Sequence, residues 1–307
     1  MKGAIVVLLL AVLQADMSNA VDPKAFFTSA KDNLTQIVWA HAVNSAKDLE
    51  DNLAKKTELM LEADVKMGKK TNSNMADEVP IMSHDGKTSD LTLQDFVDKV
   101  NQTSGINKGV KLDFKETDAV TKSMDILAKL NNAPFPVFLN ADILKGSAAN
   151  QEPAVSKDTF LNTVKVYKNV IVSLGWTTTD GKKDANYTNE DVEGMLKVVK
   201  DSQLNQSMIT YAVRASAASV SHNQMKNLLK DTNSTLTVWS GKDDEVDAKK
   251  LSELVKDIGV NKVYLDVTDE LKNKLELNGA SGMTVATMTI LGSLFVSLFL
   301  NGMPRSG

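Results

Sequence analysis

Residues 110–115 read Val110-Lys111-Leu112-Asp113-Phe114-Lys115, a short run rich in branched and aromatic side chains of the kind that fits a pleated strand. A helical pattern over 117–130 follows it. The same pairing of short apolar run and amphipathic stretch recurs along residues 36–267. Strands are expected at 36–40, 58–64, 110–115, 137–140, 170–174, 209–213, 236–239 and 262–266. Helices are expected at 93–100, 117–130, 156–167, 191–199, 224–230 and 248–256, with 65–79 a loop and a weak strand at 79–83. Apolar strands alternating with helices imply a parallel sheet covered by helices. Eight of them at this length favour an α/β fold of the closed (β/α)8 TIM-barrel type over an open doubly wound sheet. No glycine-rich dinucleotide loop follows any strand, which argues against the open sheet. One strand more or fewer would restore it.

Composition narrows the function classes. The chain has 307 residues, 42% apolar and 24% charged, with a formal charge of −4. That is too apolar for a disordered protein and long enough to bury a full core. Mild acidity gives no footprint for nucleic acid. The absence of cysteine excludes a disulfide scaffold, a thiolate zinc site and a cysteine nucleophile. Three histidines are too few for a multi-histidine metal cage.

The two ends stand apart from the repeats. Lys2, the apolar run 3–13 and the small residues Ser18-Asn19-Ala20 have the build of a secretory signal peptide over residues 1–20. The barrel domain is then 21–277. In 278–307, an apolar run over 283–300 is just long enough to cross a bilayer core of roughly 30 Å. Two anchors fit: a transmembrane span with a short tail carrying Arg305, or a GPI-type signal opening at Asn278-Gly279-Ala280-Ser281. Sequons at Asn33, Asn101, Asn186, Asn205 and Asn233 agree with export. The expected location is the secretory pathway leading to the extracellular space or cell surface, with the chain held at the membrane.

Chemistry in such barrels sits at the C-terminal strand ends. Those ends carry His41, Glu62 and Asp64, Asp113 and Lys115, Asn140 and Asp142, and Arg214. Side chains two apart on a strand share a face, so the three pairs would converge on one pocket. Trp176 and Trp239, at the ends of the fifth and seventh strands, are counted as pocket residues with Asn140 and Asp142. Crowded carboxylates need compensation. Either Mg²⁺ or Ca²⁺ binds Glu62, Asp64 and Asp113, or Lys115 and Arg214 neutralise them in a structural ion network. His41, and His84 in Pro80-Ile81-Met82-Ser83-His84-Asp85, would add an acid and a base. His222, at a helix start, reads as structural.

At these residues the sequence resembles known families. Leu61-Glu62-Ala63-Asp64-Val65 followed by the His84-Asp85 segment is similar to the core of the glycerophosphodiester phosphodiesterase and phospholipase-C-like barrel superfamily. The matching positions are His41, Glu62, Asp64, His84, Asp113 and Lys115. A closer resemblance, over most of 36–267, is to the menorin family. It rests on Trp39-Ala40-His41-Ala42-Val43-Asn44-Ser45, Lys111-Leu112-Asp113-Phe114-Lys115 and Leu139-Asn140-Ala141-Asp142-Ile143-Leu144. Ser173-Leu174-Gly175-Trp176-Thr177-Thr178, Val213-Arg214-Ala215-Ser216 and Leu236-Thr237-Val238-Trp239 complete it. The chain departs from the enzyme pattern in three places: Ala42 replaces an arginine, the Glu-Asn-Thr element is absent, and Asp113 replaces a glutamate.

The two resemblances imply different functions. The wider superfamily implies phosphodiester hydrolysis, with a divalent metal on the carboxylates, histidines as acid and base, and Lys115 and Arg214 on the phosphate. The menorin resemblance implies a cell-surface interaction protein acting in neuronal dendrite patterning, with adhesion proteins or receptors as partners. The second is placed first as the biological role. The alternative is an active phosphodiesterase on a glycerophosphodiester or lysophospholipid. A sugar-cleaving barrel ranks below both, because Glu62 and Asp64 adjoin on one strand. Asn33, Asn101, Asn205 and Asn233 precede strands and so fall on the face opposite the site, whereas Asn186 falls on the strand-end side.

Overall fold

The structure, a computed structural model, describes residues 19–277 except 74–76, 104, 180–184, 205–206 and 231–232. The expected signal peptide, save its last two residues, the expected anchor 278–307 and Asn205 lie outside the described residues. Among the described residues no helix is long and apolar enough to cross a membrane.

Eight parallel strands form one sheet: β1 (Trp39–Ala40), β2 (Met60–Lys70), β5 (Gly109–Phe114), β6 (Val137–Lys145), β7 (Ile171–Thr177), β8 (Ile209–Arg214), β9 (Thr235–Trp239) and β10 (Val263–Asp266). They follow one another in that order around a nearly closed barrel with helices between them. The last strand lies beside the first, with the rings of Trp39 and Tyr264 edge-on at 6.0 Å. Helix starts are specified locally. Thr92 and Asp95 make a reciprocal capping box on Leu93–Gln102, and Thr188 and Asp191 make another on Asn189–Asp201. Asp247 caps Ala248–Ile258.

Two apolar clusters result. The larger lies between the outward strand faces (Leu61, Leu112, Phe114, Leu139, Leu174, Val213) and helix residues such as Phe96, Phe160, Met195 and Leu254. The smaller closes the barrel floor. Phe27, Leu34 and Ile37 from the segment before β1 pack on Met60, Phe138, Ile171 and Tyr264. Burying each such side chain stabilises the fold by about 1.5–3 kcal/mol. The floor is therefore greasy and sealed, and polar residues inside the barrel are confined to its upper half.

Three local expectations are corrected. The presumed loop 65–79 is strand as far as Lys70, and Val79–Met82 (β3) pairs antiparallel with it, Val65 opposite Met82 and Gly68 opposite Val79. A two-residue strand, Thr88–Ser89 (β4), pairs parallel with its tip. The hairpin is possible because Gly68 has no side chain: a Cβ there would sit 2.4 Å from the Ile81 side chain. Second, the expected helix 117–130 is interrupted at Ser123, whose hydroxyl donates back to the Ala119 carbonyl at 2.6 Å, leaving Thr117–Lys122 and Met124–Ala128. Third, the first strand is only Trp39–Ala40, because Asn33 caps a 3-10 turn over Leu34–Gln36. The helix Ala46–Ala54, capped by Ser45, was not foreseen.

Candidate functional site

Register decides which side chains enter the barrel. Asp64, Asp113, Asn140, Ser173 and Thr210 are successive partners across five strands and stand in one row. Glu62 pairs with Lys111 below that row, and Asp142 with Gly175 above it. Side chains in one row face the same way, so the inward positions form stacked polar layers over the aromatic floor.

A hydrogen-bonded chain threads the middle layer. Asn44 Nδ2 donates to Asp64 Oδ2 at 2.7 Å, and its Oδ1 accepts from the Asp64 N–H at 2.9 Å. Lys115 Nζ bridges Asp64 Oδ1 at 2.8 Å and Asp113 Oδ2 at 2.7 Å. Asn140 Nδ2 donates to Asp113 Oδ1 at 2.5 Å, and Ser173 Oγ donates to Asn140 Oδ1 at 2.5 Å. Desolvation would raise the Asp113 carboxyl, but Lys115, Lys111 and the Asn140 bond hold it below its usual range. Desolvation would also lower Lys115, yet Asp113, Asp64 and Glu62 raise it well above its ordinary value.

Glu62 is buried beside this chain. Its Oε2 accepts the Ala42 N–H at 2.9 Å and lies 3.3 Å from His41 Nδ1. Ala42 reaches it from a left-handed backbone (φ 55°), a conformation costing a side-chain-bearing residue about 1 kcal/mol. Burial, with the Asp64 and Asp266 charges, raises the Glu62 carboxyl to about 7 against the opposing charges of Lys111 and His41. His41 Nδ1 is also 3.1 Å from Asp266 Oδ1. Burial alone would lower His41; Asp266 and Glu62 overcome it and raise the imidazole to about 9, so it is cationic at neutral pH.

Of the residues expected at one mouth, Asp64, Lys115, Asp113 and Asn140 form one bonded chain, His41 contacts Glu62, and an oxygen of Glu62 lies within 4.8 Å of oxygens of Asp64 and Asp113. Asp142 and His84 line, with Lys115, an open cleft of ≈ 600 Å³ continued by Asn150, Gln151 and Thr177 to Thr179. Desolvation and the Asp113 charge push Asp142 up to about 7. His84 is exposed, its Nδ1 2.8 Å from Asp85 Oδ1. Arg214 sits at the rim over the Trp239 ring (4.9 Å), but its fork is engaged: Nε and Nη2 donate to Asp244 at 2.9 and 2.6 Å, and Nη1 to Thr178 Oγ1 and the Thr179 carbonyl. Trp176 is placed elsewhere. Alternation turns Ser173 and Gly175 inward and Trp176 outward, where its buried ring packs on Tyr187 at 5.2 Å. His222 pairs with Asp257 on the surface, a structural contact.

Among the described residues, two groups of side chains could hold a metal ion: Glu62 with Asp64 and Asp113, and His41 with Glu62 and Asp266, the ligand atoms of each lying within 4.8 Å of one another. The donor set suits a cation. Among the described residues, the inward carboxylates Glu62, Asp64, Asp113, Asp142 and Asp266 face Lys111, Lys115 and His41, and Asp266 Oδ2 is buried without a hydrogen-bond partner. The all-oxygen triad fits a hard divalent ion.

The menorin N-terminal domain model matches residues 33–272. Human protein FAM151B is 34% identical over 240 residues, spanning 76% of this chain and 83% of FAM151B. The chain belongs to the menorin family. A solved D-psicose 3-epimerase, crystallised in the presence of D-fructose, overlaps 69% of this menorin-family chain and 94% of its own length, at 10% identity and a TM-score of 0.36. That overlap has no bearing on chemistry.

Three site residues of this menorin-family barrel escaped the sequence reading. Lys111 stands two before Asp113, and the alternation that paired Asp113 with Lys115 also turns Lys111 inward; its Nζ lies 4.0 Å from Glu62 Oε1 and 3.8 Å from Asp266 Oδ2. Asp266 ends the last strand as Asp64 ends the expected second one, so a signal existed. Asn44 lies in the turn after β1, where no periodicity marks it. Among the sequons, Asn101, Asn186 and Asn233 are exposed and Asn33 is half-buried.

Proposed function

We propose that the mouth of this barrel binds a divalent cation, Mg²⁺ or Ca²⁺, and holds and cleaves a phosphodiester such as a glycerophosphodiester or lysophospholipid, on a protein exported to the cell surface and anchored in the membrane by its C-terminal segment. The supporting observation is the convergence of the Glu62, Asp64 and Asp113 oxygens, each within 4.8 Å of the others. When bound there, the cation would supply charge that polarises a phosphoryl oxygen. His41, kept protonated by Asp266 and Glu62, donates to the leaving oxygen. His84, on the cleft wall with Asp85 behind it, accepts the proton of the attacking water or hydroxyl. Lys115 offsets the charge that develops on the phosphoryl oxygens. Arg214, already committed to Asp244, positions the 178–179 segment beside the cleft.

The test is hydrolysis of glycerophosphocholine and lysophosphatidylcholine by the purified protein with Mg²⁺ or Ca²⁺. Cation-dependent turnover that His41→Ala lowers about 10²–10⁴-fold is expected. No turnover with either cation, or an equally active His41→Ala protein, would sink the reading.

A second reading is a cell-surface scaffold that binds adhesion proteins or receptors in neuronal patterning. It is favoured by Lys115, whose ammonium pairs with both Asp64 and Asp113 as a structural ion network would, and by exposed sequons Asn101 and Asn233 away from the mouth. Glycans there would leave the mouth open to a partner. Capture of surface partners that survives both Glu62→Ala and His84→Ala separates this reading from the first.

A further inference from the structure

Each of the four carboxylate oxygens of Asp64 and Asp113 already has a partner. Asn44 and Asn140 take one oxygen each. The other two, Asp64 Oδ1 and Asp113 Oδ2, both receive Lys115 Nζ, at 2.8 and 2.7 Å. The ammonium is thus itself a cation seated on the residues that would ligate a metal. A divalent ion bound by these oxygens at roughly 2.0–2.6 Å would lie close to Nζ, and two cations so near in a partly desolvated site repel strongly.

The two lysines of the site differ in freedom. Lys111 is buried, 4% exposed, between the Glu62 and Asp266 carboxylates and the Trp39 ring. Lys115 is 28% exposed and lines the ≈ 600 Å³ cleft beside Asn150, Gln151 and Thr177. Its flexible four-carbon stem can swing the ammonium from the carboxylates into that space.

We infer that Lys115 and a divalent cation are alternative occupants of the Asp64–Asp113 pair, and that cation entry sends the Lys115 ammonium into the cleft, where it binds the phosphate. The inference rests on the phosphodiester reading and adds an order to it: cation first, anion second. Before the exchange, the Lys115 charge is committed to two carboxylates. Afterwards the same charge faces the ligand. Lys115 is therefore the group that couples the two binding events.

Calorimetric titration of the full-length protein with Ca²⁺ and, separately, Mg²⁺, each followed by inorganic phosphate, tests this. Wild type should bind phosphate only once saturated with Ca²⁺. Lys115→Met should bind Ca²⁺ about tenfold or more tightly, having lost the competing ammonium, and should gain no phosphate affinity from it. Unchanged or weaker Ca²⁺ binding by Lys115→Met overturns the exchange while the phosphodiester reading stands. Absence of Ca²⁺ and Mg²⁺ binding in both proteins overturns that reading and the exchange with it. Should Lys115→Met not fold, a Mn²⁺-soaked crystal of wild type decides: Nζ beyond hydrogen-bond reach of both aspartates supports the exchange, and Nζ still bonded to both beside a bound ion overturns it.

Discussion

His41 Nδ1 lies 3.1 Å from Asp266 Oδ1, a contact that joins the end of the first barrel strand to the end of the last. Among the described residues no backbone register ties those strands together, so this pair and the edge-on Trp39–Tyr264 packing hold the seam. The contact that helps close the barrel also sets the charge of the histidine at its mouth.

Stability should therefore depend on pH through His41. Its pKa rises from 6.5 to about 9 on folding: burial pulls it down, and the Asp266 bond and the Asp266 and Glu62 charges outweigh burial and Lys111. A raised value means the folded chain holds the proton more tightly, so the stabilisation is complete below 6.5 and drains away as pH climbs through about 9. Glu62 and Asp142, both near 7, have largely ionised before the upper part of that window. Tm should fall through the upper part, and the His41 ring-proton NMR midpoint should drop by about one unit or more in Asp266→Asn. A midpoint that stays near 9 in that variant refutes the assignment.

Lys111→Met removes the buried cation that lies between Glu62 and Asp266, leaving the half-exposed His41 as the one positive group in contact with both carboxylates among the described residues. Breaking a buried ion pair by deleting one partner costs about 3–5 kcal/mol. Urea unfolding at pH 8, where Glu62 is ionised, should show a loss of that order. The loss should shrink at pH 5, where Glu62 carries its proton. Equal losses at both values would mean that the stem of Lys111, not its charge, is what the barrel needs.

How much of this was legible in the sequence follows from periodicity. Strand alternation correctly placed Glu62, Asp64, Asp113, Lys115, Asn140 and Asp142 on inward faces, because a parallel register carries that alternation from strand to strand. The same rule, applied without exception, would also have found Lys111 and turned Trp176 outward. Asn44 and the Arg214–Asp244 fork were not readable, since loops have no period and pairing across 30 residues leaves no local mark. The β2–β3 hairpin was hidden for another reason. Val65 to Lys70 is polar and glycine-bearing, and it is strand only because Ile81 and its neighbours lie against it.

Arg214 separates a structural from a ligand-binding role. Its two bonds to Asp244, whose side chain is 3% exposed, and its two to Thr178 and Thr179 tie three loops at the rim. Arg214→Ala strands a buried carboxylate and should cost about 3–5 kcal/mol in chemical denaturation. Arg214→Lys keeps the charge but not the fork and should still lose about 1–3 kcal/mol. Were Arg214 a free phosphate clamp, Arg214→Lys would leave stability untouched and weaken only anion binding.

Gly175 and Asp142 form the tightest geometric dependence in the cleft. A Cβ built on Gly175 would stand 2.2 Å from Asp142 Oδ1 and 3.6 Å from the Ala212 Cβ, so the carboxyl lies across the bare glycine backbone. Gly175→Ala must push that carboxyl aside, at a cost of about 1–3 kcal/mol for overpacking. Removing the obstacle should remove the cost: in an Asp142→Ala background the same substitution should cost less than about 0.5 kcal/mol. The double-mutant cycle reads this coupling directly by urea denaturation. Additive losses would show that the strain lies in the strand backbone, and that Asp142 does not owe its place beside Lys115 to the missing side chain.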